Sequence, residues 1–172
     1  ELMEGTIQVE SKQNIGTKIT ITLPFYIAEK KDVYGKQETK KPSLSKEKPR
    51  RILLAEDNAL NAEIALELLK GAGFLVEHAA DGQACVDMLS HAEDGYYDLI
   101  LMDVQMPILN GYETTKKIRQ MEDRKKAEIP ILAMTANAFS EDRQAALEAG
   151  MNDHVAKPID MNVLLRVMMK YL

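Results

Sequence analysis

The chain has one cysteine, Cys85, among its 172 residues, no long apolar run, and no leader pattern at its first residue, Glu1. Each shortage removes a class of protein. A lone thiol excludes an intrachain disulfide framework and suits a reducing cytoplasm. A bilayer crossing takes roughly 18 consecutive apolar residues, so no span is expected here. Without a signal peptide the stretch reads as an excerpt of a longer protein, cytoplasmic itself, with any membrane anchor in segments outside it. Positive charge is short in the C-terminal part. The net charge of −5 is uneven: residues 29–50 hold eight Lys/Arg against four Asp/Glu, whereas residues 51–172 hold twelve against twenty, a balance of −8. That disfavours nucleic acid as a direct partner. His78 and His91 show no metal-ligand spacing and read as surface residues.

What the chain does have is apolar content, 45% of its residues, and length for one full domain plus part of a second. Near the N-terminus Ile7 and Val9 alternate with polar residues, as do Ile19, Ile21 and Leu23 with Lys18, Thr20 and Thr22. These predict a two-stranded hairpin, which is marginal alone in water and has an apolar face to cover. Residues 28–50 are lysine-rich and punctuated by Gly35, Pro42, Ser43, Ser45 and Pro49. They read as a linker, the alternative being a basic docking segment.

From Arg51 onward, strand and helix patterns alternate five times. The strands are expected at Arg51-Ile52-Leu53-Leu54-Ala55, Phe74-Leu75-Val76-Glu77-His78, Leu99-Ile100-Leu101-Met102, Ile131-Leu132-Ala133-Met134 and Asp153-His154-Val155-Ala156. In the first helix Leu60, Ile64, Ala65, Leu68 and Leu69 trace one face, closed by Gly71 and Gly73. Later helices open at Asp81-Gly82, at Asn110 with Glu113 three residues on, at Ser140 and at Asp160. Strict alternation implies a parallel sheet with helices on both faces and right-handed crossovers.

The polar oddities all fall where strands end. Asp103 follows the third strand, and Glu56-Asp57 the first. Three acids delivered by two strand ends suggest a hard-cation site, because their mutual repulsion calls for an offsetting charge. Thr135, beside the small Ala136, follows the fourth strand, and Lys157 the fifth. Singly, each has a plain reading: Asp103 a helix cap, Lys157 a solvated charge, Thr135 an ordinary strand-end residue, Asn58 a cap. Together they put five groups on one rim, where open α/β sheets bind their ligands.

Glu56-Asp57-Asn58, Met102-Asp103-Val104-Gln105-Met106-Pro107, Met134-Thr135-Ala136 and Lys157-Pro158 resemble the response-regulator receiver domain over residues 51–172. The resemblance implies a flavodoxin-like sheet of order 2-1-3-4-5 with five helices, and Asp103 as the phosphoacceptor. It implies Mg²⁺ held by Asp57, Asp103 and the backbone carbonyl of Gln105, with Glu56 acting directly or through water. Lys157 would serve the phosphoryl oxygens and Thr135 would donate a hydrogen bond. A cis bond at Lys157-Pro158 is common in the family. Thr135 is also its switch residue, paired with an aromatic at the place of His154, so the imidazole departs from the usual Tyr or Phe. The electrostatics agree: at about 4 Å and an effective dielectric near 20, each like-charge pair costs roughly 4 kcal/mol, which a divalent cation offsets.

Asn58 and Asn61, with the hairpin ending in Thr22-Leu23-Pro24, resemble a hybrid histidine kinase in particular. Residues 1–27 then look like the last strands of its ATPase domain, although Glu4 and Asn14 depart from that family's glycines. The nucleotide-binding boxes lie outside this stretch, so no ATP binding is expected, only the chain's own aspartyl phosphorylation and dephosphorylation. The implied partners are the kinase's phosphohistidine domain and a histidine phosphotransfer domain docking near Asn58, Leu60 and Asn61. Three other readings compete. A dehalogenase-type hydrolase wants an acid where Gln105 stands, and an FMN module wants a Ser/Thr/Gly-rich loop where Glu56-Asp57 stands. A degenerate receiver acting only as an interaction module is disfavoured by the intact set of five groups.

Overall fold

The structure, a computed structural model, describes residues 5–13, 16–24, 49–136 and 140–172, without the side chains of 140–142. Most of the expected linker, together with Glu4 and Asn14, lies outside the described residues. The chain divides into two units, Glu1–Ser43 and Leu44–Leu172. In the first, β1 (Thr6–Lys12) and β2 (Gly16–Thr22) form the expected antiparallel hairpin. Ile7 stands opposite Ile21 and Val9 opposite Ile19, so the period-two pattern gathers four aliphatic side chains on one face, each 60–69% exposed.

The second unit contains β3 (Arg51–Ala55), α1 (Ala59–Gly71), β4 (Leu75–Ala79), α2 (Gly82–His91) and β5 (Leu99–Asp103). It continues with α3 (Gly111–Arg119), α4 (Arg124–Ala127), β6 (Ile131–Thr135), α5 (Ser140–Ala149), β7 (Asp153–Ala156) and α6 (Met161–Met168). All five strands pair in parallel, in the order β4-β3-β5-β6-β7, which is the order 2-1-3-4-5 counted within this unit. Every residue of β5 and β6 is buried. Their continuous apolar runs make sense because helices cover both faces.

The alternation of side chains along the strands divides the core in two. Leu53, Ile100, Met102, Ile131 and Ala133 meet Cys85, Leu89, Ile118 and Ala146 from α2, α3 and α5. On the other face Ile52, Leu54, Leu99, Leu101 and Met134 meet Ala65 and Leu69 of α1 and Leu164, Val167 and Met168 of α6. Each fully buried Leu or Ile contributes roughly 1.5–3 kcal/mol of transfer free energy. The lone thiol is part of this core, where burial, with Asp81 second, pushes Cys85 up to about 12.

Helix starts follow their caps. Asn58, Asp81 and Asp160 accept from the first-turn N–H groups of α1, α2 and α6, and Asn110 with Glu113 forms a full capping box on α3. Two details differ from the sequence reading. With the one-turn α4 the described residues hold six helices instead of five; Asp123 caps it by accepting from Lys125 and Lys126 N–H groups, in a charged stretch with no apolar period to announce it. The apolar positions of α1 also split into two lines. Ala62, Ala65 and Leu69 are buried, whereas Leu60, Ile64 and Leu68 form an exposed line at i, i+4, i+8. On the inner line Ala65 and Leu69 pack into the core against the sheet, and Leu60, Ile64 and Leu68 are left outside.

Candidate active site at the carboxyl edge of the sheet

Three backbone bonds just past the strands fix the rim. Glu56 N–H donates to Ala79 O at 3.2 Å, Val104 N–H to Met134 O at 3.2 Å, and Lys157 N–H to Thr135 O at 2.7 Å. Parallel pairing thus brings Glu56, Asp57, Asp103, Thr135 and Lys157 to one edge, as the sequence predicts. Carboxylate oxygens of Glu56, Asp57 and Asp103 lie within 4.8 Å of one another, with Asp57 exposed and the other two buried. An all-oxygen, acidic donor set of this kind suits a hard divalent cation, so the residues fit the metal that the sequence implies.

Lys157 Nζ donates to Glu56 Oε2 at 2.6 Å and to Asp103 Oδ2 at 2.7 Å. The peptide from Lys157 to Pro158 is cis. The other Asp103 oxygen, Oδ1, accepts from Gln105 N–H at 3.1 Å. Burial and the neighbouring Glu56 push the Asp103 carboxyl above the usual carboxylate range, against the hydrogen bonds from Lys157 and Gln105. Burial works against the Lys157 ammonium too, yet its bonds to Asp103 and Glu56 hold it above the usual lysine range. One cation thus shares two buried acids, and negative charge remains in excess.

Four further residues shape the site. Asn61 Nδ2 donates to Glu56 Oε1 at 3.1 Å, so the residue expected only in docking also orients the acid. Asn58 caps α1 through its side-chain oxygen. His78, read as a surface residue, is instead half-buried, with Nε2 2.7 Å from the Glu56 carbonyl oxygen; a carbonyl only accepts, so Nε2 carries the proton there. Its place at the end of β4, on the same rim, was the available signal. Gly111 is the fourth: a Cβ there would collide with Asp103 O and lie 2.9 Å from Val104 Cα. Only glycine lets α3 start directly behind the end of β5.

His154 stands on β7 opposite Ala133 of β6. Its Nδ1 is buried without a hydrogen-bond partner, and Asp153 Oδ1 at 3.6 Å is beyond bonding reach. A pocket of about 180 Å³ opens beside the acids, lined by Glu56, Asn61, Ile64, Lys157, Pro158 and Ile159.

This arrangement recurs in known proteins. The model of the response regulator receiver domain matches residues 52–169. The sensor protein EvgS of Escherichia coli K12 is 36% identical over 163 residues, 94% of this chain and 13% of EvgS. The receiver domain of a sensor histidine kinase from Pseudomonas aeruginosa PAO1, solved with a magnesium ion in its active-site cleft, superposes with a TM-score of 0.65 at 39% identity, over 72% of this chain and 98% of that one. The receiver of the yeast response regulator Ssk1, co-crystallised with the phosphotransfer protein Ypd1, gives 0.65 at 30% identity, over 72% and 88%. The chain spans less than a fifth of the length of the curated histidine-kinase relatives it matches. Strand order, rim chemistry and the family match over residues 52–169 agree, and the chain belongs to the response regulator receiver domain family.

Proposed function

We propose that this receiver takes a phosphoryl group from a phosphohistidine onto Asp103 and passes it to a histidine phosphotransfer domain, as one stage of a relay within a hybrid histidine kinase. The observation that carries the reading is the Lys157 ammonium set between Glu56 and Asp103, beside the exposed Asp57. An Asp103 oxygen forms the new P–O bond as the P–N bond to the donor imidazole breaks, and the imidazole leaves with that electron pair. The reaction is largely positioning and electrostatics. Lys157 faces the phosphoryl oxygens as they arrive, Thr135 donates to one of them, and Asn61 and His78 keep Glu56 in place. Asp57, Asp103, the Gln105 carbonyl and Glu56, directly or through water, would hold Mg²⁺. When bound, the ion supplies the positive charge that the three carboxylates and a dianionic phosphoryl group lack.

The partner side of the reading rests on the rim. Asn58, Leu60 and Asn61 border the acids, and the line Leu60, Ile64, Leu68 offers apolar contact to a helical partner. Thr135 and His154 form the switch. Residues 1–27 are the closing strands of the kinase's ATPase domain and residues 28–50 its tether, a division supported by the hairpin pairing and by the match to EvgS across 94% of the chain. Among the described residues no helix is long and apolar enough to cross a membrane. A cytoplasmic setting with any anchor elsewhere in the parent fits this and the buried, unreactive Cys85.

The test is Mg²⁺-dependent labelling by a small phosphodonor. Wild type takes one acid-labile label, and Asp103→Asn takes none while keeping its fold. Asp57→Asn weakens Mg²⁺ binding by about tenfold or more, by loss of a direct oxygen ligand, and phosphorylation falls with it. Acid-stable label on a Ser or Thr, or undiminished Mg²⁺ affinity in Asp57→Asn, overturns the assignment.

A further inference from the structure

The inner face of β4 changes character as the strand nears the rim. Val76 packs against the core that α1 and α6 cover, and the next side chain on that face is His78. An aliphatic residue would continue the core and suit a strand better. Instead a half-buried imidazole stands opposite Leu54 of β3. It reaches one residue past the end of that strand, with Nε2 2.7 Å from the Glu56 carbonyl oxygen.

That oxygen belongs to the peptide joining Glu56 to Asp57, and the two acids on either side of it are held very differently. Glu56 is tied at each of its other polar groups. Its N–H donates to Ala79 O at 3.2 Å, Oε1 accepts from Asn58 N–H at 3.3 Å and Asn61 Nδ2 at 3.1 Å, and Oε2 accepts from Lys157 at 2.6 Å. Asp57 is exposed, and its carboxylate has no hydrogen-bond partner among the described residues. Its direction is therefore set through the backbone on either side. After it, Asn58 is fixed as the cap of α1. Before it, the peptide is planar, so a donor on its oxygen restrains ψ of Glu56 and φ of Asp57 together.

Resting on the metal reading above, we propose that His78 is a positioning residue for the divalent cation. By donating Nε2–H to the Glu56 carbonyl it fixes the peptide from which Asp57 projects, and so sets how tightly the acids hold Mg²⁺. The role needs an N–H and not a charge, because Nε2 carries a proton both in this neutral tautomer and in the charged ring. A packing role would need the bulk of the ring and not its N–H. The donor also accounts for a polar residue at an inner position of β4.

His78→Gln, His78→Phe and His78→Val, in the full chain, separate the N–H from the ring. Glutamine keeps a donor, phenylalanine keeps the ring, and valine keeps neither but suits the strand. Calorimetric titration with Mg²⁺ reads the affinity directly, and thermal midpoints without metal read the fold. His78→Phe and His78→Val are expected to weaken Mg²⁺ binding about tenfold, the loss typical of a group that orients a metal ligand. The Mg²⁺ concentration that half-saturates labelling by a small phosphodonor rises with it. His78→Gln recovers most of the affinity. Wild-type affinity in either the Phe or the Val variant, or an equal loss in all three, overturns the inference. So does a lowered metal-free midpoint with Mg²⁺ affinity unchanged, the mark of a residue that only packs. If wild type binds no Mg²⁺, or Asp57→Asn binds it undiminished, the metal reading itself fails, and the inference with it.

Discussion

The two ends of the parallel sheet treat charged side chains in opposite ways. At the amino end every described charge near the core is matched. Glu77 accepts from the Tyr96 hydroxyl at 2.8 Å, the Tyr97 hydroxyl at 2.7 Å and Arg51 Nη1 at 2.9 Å, while the Arg51 guanidinium lies over the Tyr96 ring. Asp98 receives the Arg51 N–H and the Arg50 guanidinium. Arg119 reaches Gly150 O, Ala127 O, Ile129 O and Asn152 Oδ1, tying α3 to the turns that feed β6 and β7. At the carboxyl end two buried acids share one lysine with a third acid alongside. Burial alone would raise the Glu77 carboxyl, but its three donors hold it below the usual range; Asp103 goes the other way. One end is arranged for stability. The other is left incomplete, and an incomplete site is one that a cation or a phosphoryl group can complete.

The largest effect that would test this contrast is at Arg119. Arg119→Ala leaves three carbonyls without their donor and is expected to cost about 3 kcal/mol or more, read as a lower urea midpoint at unchanged slope. Arg119→Lys recovers only part of it, since one ammonium cannot reach four acceptors spread over two turns. A cost below about 1 kcal/mol, the size of an ordinary surface change, would mean that the amino end is no better tied than the rim.

A smaller effect separates the two acids by the sign of their pH dependence. A carboxyl raised on folding costs stability as the pH rises from 3.8 through its folded pKa, so Asp103→Asn in metal-free protein should gain on wild type across that window. Glu77 is lowered, so its stabilisation is present above 4.5 and is lost as the pH falls through its folded pKa. Glu77→Gln should therefore trail wild type most at neutral pH and converge with it in acid. Thermal midpoints of the three proteins from pH 3 to 7 (about the range in which carboxylates titrate) check both slopes. Parallel curves for the two variants would erase the distinction.

The contrast also explains what was legible in the sequence. Asp103, Glu56-Asp57, Thr135 and Lys157 could be placed because each directly ends an apolar run, and parallel pairing does the rest. The limits of β7 and the cap at Asp160 were readable for the same local reasons. Arg119 was not, because its acceptors are main-chain carbonyls and one side-chain amide at residues 127, 129, 150 and 152, which no residue type marks. His78 was missed because its partner, the Glu56 carbonyl, depends on the register of β3 against β4. The outer line of α1 was not separable by period alone, since both lines recur at helical spacing and only packing decides that Ala62, Ala65 and Leu69 go inside.

The smallest expected effect would show whether the carboxyl end responds to a phosphoryl group at Asp103. Ala133 pairs with His154 and Thr135 with Ala156, so Thr135 lies diagonally across from His154 on the same face of the sheet, with the small Ala133 between them. The His154 Nδ1 has no hydrogen-bond partner in this conformation, so an altered Thr135 hydroxyl or an inward ring rotation has little to break. A phosphoryl group that Thr135 contacts in only one arrangement binds the two states differently, which is the condition for shifting their populations. The expected outcome is a change in the His154 ring resonances when a phosphoryl mimic is bound at Asp103, lost in Thr135→Ala, whose labelling still proceeds at a reduced rate. Spectra that do not change in wild type would leave the rim a passive relay. A change that survives Thr135→Ala would route the coupling through Lys157 and the strand end instead, making the whole carboxyl edge, not one hydroxyl, the unit that responds.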